Sequence, residues 1–404
     1  MKKKISIGAA AVVLLIAVLI TFQVTYLTVS NKYRQVINDL EASEHFLYDK
    51  LSSVDSLFRS LYIGEIDEDQ LVDAVINGYI SGTGDKYAQY MNTDEFADFQ
   101  SDLSKEFDGI GIIVVYNDKY MALEVAAVMP NSPALDAGLL PGDLIIQIGS
   151  VDTSVLGYCA AVDALKGIAG SKAEFVIARG NDYSEKIEMS VERAKVENVN
   201  LLSHMYDDGT NSIGIIRILQ FYPNTPEQFK LAVESLRAEG ATKFVFDVRS
   251  NPGGELNSVV EVLDYLLPAG PVIRITDGQG NESTLSSNAG ELEAEMIVLV
   301  NKSTASAAEL FAAALRDYGK AKLVGETTYG KGSMQQIVRL EDNSALRVTY
   351  RMYSPPYSAN YDGVGLVPDY KVQLSEEMQN KNIYTIADKD DAQLLYAIEK
   401  LGTN

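Results

Sequence analysis

Three short segments carry residue types that could together perform acyl transfer. The first, Asn301-Lys302-Ser303-Thr304-Ala305-Ser306-Ala307-Ala308-Glu309-Leu310-Phe311, follows the apolar run Ile297 to Val300. Ser306 and Glu309 have the spacing of a capping box, which puts Ser306 where a helix begins. The unpaired N–H groups of that first turn, and the positive end of the helix dipole, would stabilise an anion forming at the serine. A serine that only caps its helix has the same spacing, so position alone leaves both readings open. The second segment is Thr327-Thr328-Tyr329-Gly330-Lys331-Gly332-Ser333-Met334-Gln335. Flanking glycines strip bulk from around Lys331 and let its ammonium turn inward, where burial favours the amine and an amine can accept a serine proton. The alternative is a solvated lysine in a turn. Lys331 and Gln335 are an even number apart and on a strand share a face. Fully extended they lie roughly 13 Å apart at Cα, so they meet only through long side chains or a bend at Gly332. The third segment, Asp247-Val248-Arg249-Ser250-Asn251-Pro252-Gly253-Gly254, leaves an apolar strand, and its glycines let a backbone N–H approach a ligand closely, as an oxyanion donor must. An ordinary strand-to-helix turn is its alternative.

What is missing narrows the chemistry. A serine hydrolase normally needs a base, and the only histidines are His45, in a helical stretch near the N-terminus, and His204, in a polar, aspartate-rich linker. A lysine base removes that difficulty. One cysteine, Cys159, excludes an internal disulfide and reads as a small core residue, an intermolecular bridge being the alternative. With two histidines and no Cys-x-x-Cys, a zinc site has too few ligands, so no metal is expected, and hydrolysis by a serine and a lysine needs no cofactor. The chain has 404 residues, 34 basic against 56 acidic, a formal charge of −22 and 47% apolar residues. That composition is globular, long enough for two or three domains, and offers no basic stripe for nucleic acid.

The elements that must position these segments follow from periodicity. After three lysines, residues 5–31 carry no charge, enough to span a bilayer and longer than the apolar core of a cleaved signal peptide. Residues 1–31 are therefore expected to form a signal anchor, with the lysines inside and the rest of the chain outside. Residues 32–105 read as a helical arm, with Phe46, Leu47, Leu51, Val54, Leu57 and Phe58 at helical spacing and a break at Gly82, Gly84 and Asp85. Residues 106–194 change to short β-rich runs around one helical stretch, Leu156 to Leu165. Residues 195–375 alternate strands and helices as an α/β layered domain, and residues 376–404 form a helical tail.

Two resemblances rest on quoted residues. Phe107-Asp108-Gly109-Ile110-Gly111-Ile112, with Ser132-Pro133-Ala134, Ala137-Gly138-Leu139 and Pro141-Gly142-Asp143, resembles a PDZ domain. Its backbone loop at Gly109, Ile110, Gly111 and Ile112 would hold a terminal carboxylate while a peptide adds as a strand. The three chemical segments, with Gly214-Ile215-Ile216-Arg217-Ile218 and Phe221, resemble the carboxyl-terminal processing peptidases, or tail-specific proteases, from about residue 63 to 372. The resemblance implies a Ser-Lys serine endopeptidase with a crotonase-like α/β core and an inserted PDZ domain. It implies Ser306 as nucleophile, Lys331 as general base, Gln335 orienting Lys331, and the Gly254 and Ala307 N–H groups as oxyanion donors. It implies protein C-terminal tails as partners and a homo-oligomer through the arm and tail. The arginine that usually precedes a glycine after the PDZ helix is replaced by Lys166, which alters the gating contact, and Gly82 to Met91 lacks the usual Asp-Pro turn. The expected location is a bacterial cell membrane, single-pass, with the catalytic region extracytoplasmic. Rival readings are an inactive peptidase-like PDZ scaffold and a small-molecule hydrolase or crotonase-like acyl enzyme.

Overall fold

The computed structural model describes residues 46–102, 106–117, 119–129, 131–180, 183–207, 212–288, 290–379 and 381–402. The expected anchor at 1–31, His45 and the Cys159 side chain fall outside that description. Among the described residues no helix is long and apolar enough to cross a membrane. The chain divides into two units, residues 1–72 and 73–404. In the first, a helix at 46–61 carries Phe46, Leu51, Val54, Leu57 and Phe58 exposed.

The second unit is built on a six-stranded sheet in the order Leu201–Asp207, Ser212–Ile218, Lys243–Asp247, Glu295–Val300, Ala321–Gly325, Tyr370–Lys371. Only the first pair is antiparallel. The inner strands are nearly continuous apolar runs because both faces are covered, as parallel sheets require. Helices Thr225–Ala238, Leu256–Leu266 and Ala307–Asp317 pack one face around Phe229, Phe246, Val298 and Phe311. The C-terminal helix Ala392–Gly402 packs the other through Leu394, Ala397 and Ile398 against Ile215, Val245 and Leu299. Helix Ala392–Gly402, in the stretch expected as a tail, thus supplies the second cover of the core sheet. The linker expected around His204 is instead the sheet's antiparallel edge strand, with His204 Nε2 2.7 Å from Asp388.

A second sheet joins Gly270–Asp277, Glu282–Ser287, Ser333–Arg339 and Ala345–Ser354, and takes in a strand from the supposed arm, Gln89–Met91. The arm region is therefore not wholly helical: between helices Glu68–Thr83 and Thr93–Asp102 it contributes an edge strand to this second sheet.

Residues 106–197 form the PDZ-like body. Its sheet runs Ile112–Asn117, Ala122–Val128, Leu144–Ile148, Lys172–Arg179, Glu185–Glu192, with Val151–Asp152 beside the third strand and helix Thr153–Leu165 packed across it. The entering strand Glu106–Gly109 pairs antiparallel with the leaving strand Ala194–Glu197. That ribbon closes the body at both ends, so it loops out of the surrounding chain as a unit.

Candidate active site

Asp247, Val300 and Gly325 end three adjacent parallel strands, and each of the three chemical segments departs from one of those ends. Ligand sites of parallel α/β sheets lie at the carboxyl ends of strands, where neighbouring loops converge. Strand order thus brings together segments up to 80 residues apart in sequence, counted from Asn251 to Lys331.

Ser306 sits at φ 56°, ψ −121°, a left-handed conformation a serine adopts only under constraint. The helix it precedes is buried from Ala307 through Leu315, as its all-round apolar sequence requires. Glu309 N–H donates to the Ser306 carbonyl at 2.9 Å, and Ser306 N–H donates to Glu309 Oε2 at 2.9 Å. The serine side chain is half-buried and hydrogen-bonded to the Tyr353 phenol.

Glu309 does more than cap. It is fully buried, and its Oε1 accepts from Thr328 Oγ1 at 2.5 Å and from Gly330 N–H at 2.7 Å, while Oε2 also accepts from Lys331 N–H at 2.8 Å. One carboxylate therefore ties the backbone of Ser306 to that of Lys331. Burial pushes its pKa up, against the pull of those four donors. Two buried phenols brace the same junction: Tyr353 Oη donates to the Lys331 carbonyl at 2.7 Å, and Tyr361 Oη donates to the Ser306 carbonyl at 3.4 Å and lies 3.2 Å from Tyr353 Oη.

The Lys331 side chain is half-buried and makes no ion pair among the described residues. Burial lowers its pKa first and the Arg347 guanidinium second, while Asp362 and Glu309 oppose them. Its Nζ lies 4.8 Å from the centre of the Tyr87 ring. Gln335 Nε2 donates to Ser333 Oγ and Thr349 Oγ1, each at 3.2 Å, rather than to Lys331. The even-spacing argument fails here because the strand begins at Ser333 and its pairing shifts register between Met334 and Gln335. Both side chains nevertheless line one cavity.

That cavity, of about 400 Å³, is lined by Ser306, Ala307, Gly254, Lys331, Gln335 and Arg347, among others. The N–H groups of Gly254 and Ala307 donate to no acceptor in the described protein. Gly254 has φ 142°, and a Cβ there would stand 2.1 Å from the Phe221 carbonyl oxygen. Only glycine fits. A Cβ on Gly253 would likewise meet Ser306 Cβ at 2.8 Å, so the glycine loop lies directly against the serine turn.

The predicted PDZ residues are also brought together. Gly109, Ile110, Gly111, Ile112 and Lys166 line a second cavity of about 780 Å³. The Ile110 and Gly111 N–H groups donate to no described acceptor, as a carboxylate-binding loop needs. Lys166 ends helix Thr153–Leu165 and lies 3.9 Å from Asp163.

Comparison with known proteins identifies the family. The peptidase family S41 model matches residues 212–372 and a PDZ domain model matches residues 124–179. The carboxy-terminal processing protease CtpA of Bacillus subtilis is 30% identical over 361 residues, covering 88% of this chain and 74% of that protein. The chain belongs to the carboxy-terminal processing proteases. Another member, the carboxy-terminal-processing protease of Bartonella bacilliformis, is 30% identical over 342 residues, 82% of this chain and 77% of its own length. The chloroplastic carboxyl-terminal-processing peptidase 2 of Arabidopsis thaliana is 33% identical over 310 residues, 74% of this chain but 60% of its own length. The fold is shared with an S41 protease structure from Bacteroides fragilis at TM-score 0.59 and 17% identity, covering 86% of this chain and 96% of that one. Family membership makes the chain a serine peptidase with a mixed α/β fold and a PDZ domain.

Several residues of this carboxy-terminal processing protease were not singled out from sequence. Glu309 was read as half of a capping box, and its contacts at Thr328 to Lys331 are invisible to local spacing. Tyr353 and Tyr361 had no signal beyond being aromatic. Asp85 marked a break in the arm, and nothing in its neighbourhood pointed toward Lys331.

Proposed function

We propose that the protein is a membrane-anchored, extracytoplasmic endopeptidase that holds protein C-terminal tails on its PDZ domain and cuts them with a Ser306–Lys331 dyad. The uncharged run at residues 5–31 behind three lysines supports the anchor and its orientation. The mostly parallel sheet covered by helices is compatible with a crotonase-like core. The observation that carries the activity is a single cavity presenting Ser306, Lys331 and two backbone N–H groups with no protein acceptor.

In this reading Ser306 Oγ attacks the scissile carbonyl carbon as the Lys331 amine takes its proton. The carbonyl oxygen, now negative, receives hydrogen bonds from Gly254 and Ala307 N–H, donors already aimed and therefore worth more than reorganising water. Collapse breaks the C–N bond, and the Lys331 ammonium returns its proton to the leaving amine. Water then enters, Lys331 removes its proton, and the second tetrahedral species releases the new carboxyl terminus and free Ser306. The depressed Lys331 pKa supports the base role, because only the amine form can accept the first proton. The PDZ groove, walled by Ile110, Ile112, Val162 and Leu165, suits an apolar terminal side chain with its carboxylate at Ile110 and Gly111.

The test is cleavage of an unfolded protein ending in apolar residues by the wild type, Ser306→Ala and Lys331→Ala, with products read by mass. Wild-type cleavage absent from both variants is the expected result. Tail binding without cleavage by any of the three would favour a scaffold. Cleavage by Lys331→Ala at the wild-type rate would remove lysine from the mechanism.

A further inference from the structure

The segment Asp85–Met91 belongs to neither the peptidase core nor the PDZ body in sequence, yet it is stitched beside the cavity. Gln89, Tyr90 and Met91 pair with Arg347, Leu346 and Ala345. Arg347 Nε donates to the Tyr87 carbonyl at 3.2 Å, and Tyr87 N–H donates to Asp85 Oδ1 at 2.9 Å. Asp85 in turn accepts from Thr349 N–H and Thr349 Oγ1, each at 3.0 Å, and Thr349 Oγ1 accepts from Gln335 Nε2. The loop thereby holds Gln335 at one end and lays the Tyr87 ring over Lys331 Nζ at the other. Tyr87 thus meets two residues that line the cavity, Lys331 through its ring and Arg347 through its carbonyl.

We propose that Tyr87 is a positioning residue for the hydrolysis, its ring fixing the Lys331 side chain in the cavity and keeping water from the ammonium. This rests on Lys331 serving as the base. A ring face attracts a cation, an effect that by itself favours the ammonium, and the same ring excludes solvent, which favours the amine. Exclusion dominates here, since burial is the largest influence on Lys331. The other groups facing Lys331 are Arg347 from the strand Ala345–Ser354, Asp362 from the loop after it and Glu309 from the nucleophile helix, while Tyr329 is hydrogen-bonded to the Tyr87 side chain. Asp362 and Glu309 favour the ammonium, so a catalytic amine at moderate pH depends on what keeps Lys331 dry.

Two readouts on the full chain separate this inference from the reading it rests on. Competitive acetylation of Lys331 across pH in a Ser306→Ala background, followed by mass of the Lys331 peptide, reports the lysine without needing turnover. Tyr87→Ala is expected to move its midpoint upward by about half a pH unit or more, and Tyr87→Phe, which keeps the ring face, to leave it in place. Tyr87→Gln keeps bulk in the loop without a ring and should follow the alanine variant, which guards against a folding artefact. In the active protein the alanine and glutamine variants should lose about tenfold in kcat with KM within about twofold, and the acid limb of kcat/KM should rise with the labelling midpoint. A midpoint unmoved in both ringless variants overturns the inference, and so does an equal movement in Tyr87→Phe, which would assign the effect to the hydroxyl and Tyr329. A moved midpoint with unaltered kcat upholds the contact and overturns lysine as the base.

Discussion

Lys331 is held by its backbone and left alone at its tip. Its N–H is fixed by Glu309 and its carbonyl by Tyr353, while its Nζ meets a ring, feels Arg347, Asp362 and Glu309 nearby, and makes no ion pair among the described residues. Such a lysine is a cost to the fold. Its pKa is lowered in the native state, so the unfolded chain binds more protons than the native one between the native pKa and the ordinary lysine range, and stability rises with pH across that window. Replacing Lys331 by Met, similar in length and without charge, should stabilise the protein at about pH 7. The gain should shrink as pH approaches about 10, where the unfolded lysine also loses its proton. Urea unfolding of both proteins at the two pH values tests this, and a gain that grows with pH would mean Lys331 is held as a stabilised ammonium.

The glycine loop after strand Lys243–Asp247 shows how an element is shaped around one N–H. Phe221 N–H donates to the Gly253 carbonyl at 2.9 Å and Glu255 N–H to the Phe221 carbonyl at 2.8 Å, which pins the residues on either side of Gly254 and leaves its own N–H without an acceptor in the described protein, at the cavity Gly254 lines. Gly254→Ala must push that loop off Phe221, because its Cβ would overlap the carbonyl oxygen. The expected result is a loss of about 10²–10³ in kcat with little change in KM, the size associated with one oxyanion donor. Wild-type kcat in that variant would place the oxyanion elsewhere. Such an outcome could not be read from the glycine pair alone, which fits an ordinary turn equally well. What sequence does carry is strand type and order: continuous apolar runs ending at Asp247, Val300 and Gly325 mark a buried parallel sheet, and its loops must converge. The β-strand at Gln89–Met91 and the edge strand around His204 escaped because their cross-strand partners, not their own patterns, make them strands. Glu309 escaped for a related reason: a carboxylate's local cap is visible in spacing, but the donors it gathers from 19 to 22 residues away depend on how strands Glu295–Val300 and Ala321–Gly325 lie side by side.

Over the whole second unit, distant segments bear on the loop that carries Gly254 and on the cavity it lines. Arg249, fully buried, launches the glycine loop and is paired with Asp247 at 2.7 Å and with Asp391, just before the C-terminal helix, at 2.6 Å. Removing one partner of such a buried pair strands a charge, so the C-terminal segment is coupled to the loop that carries Gly254. At the other end Tyr222, which directly follows the Phe221 contact with Gly254, lines both the PDZ groove and the catalytic cavity. A tail held at Ile110 and Gly111 and cut at Ser306 would pass this side chain, whereas a short peptide occupying only the catalytic cavity has no need of the groove. Tyr222→Ala should therefore lower kcat/KM about tenfold for an unfolded protein with an apolar C-terminus and leave a short reporter peptide within about twofold. An equal loss on both substrates would confine Tyr222 to the catalytic cavity, and no loss on either would mean that tails reach Ser306 by another path.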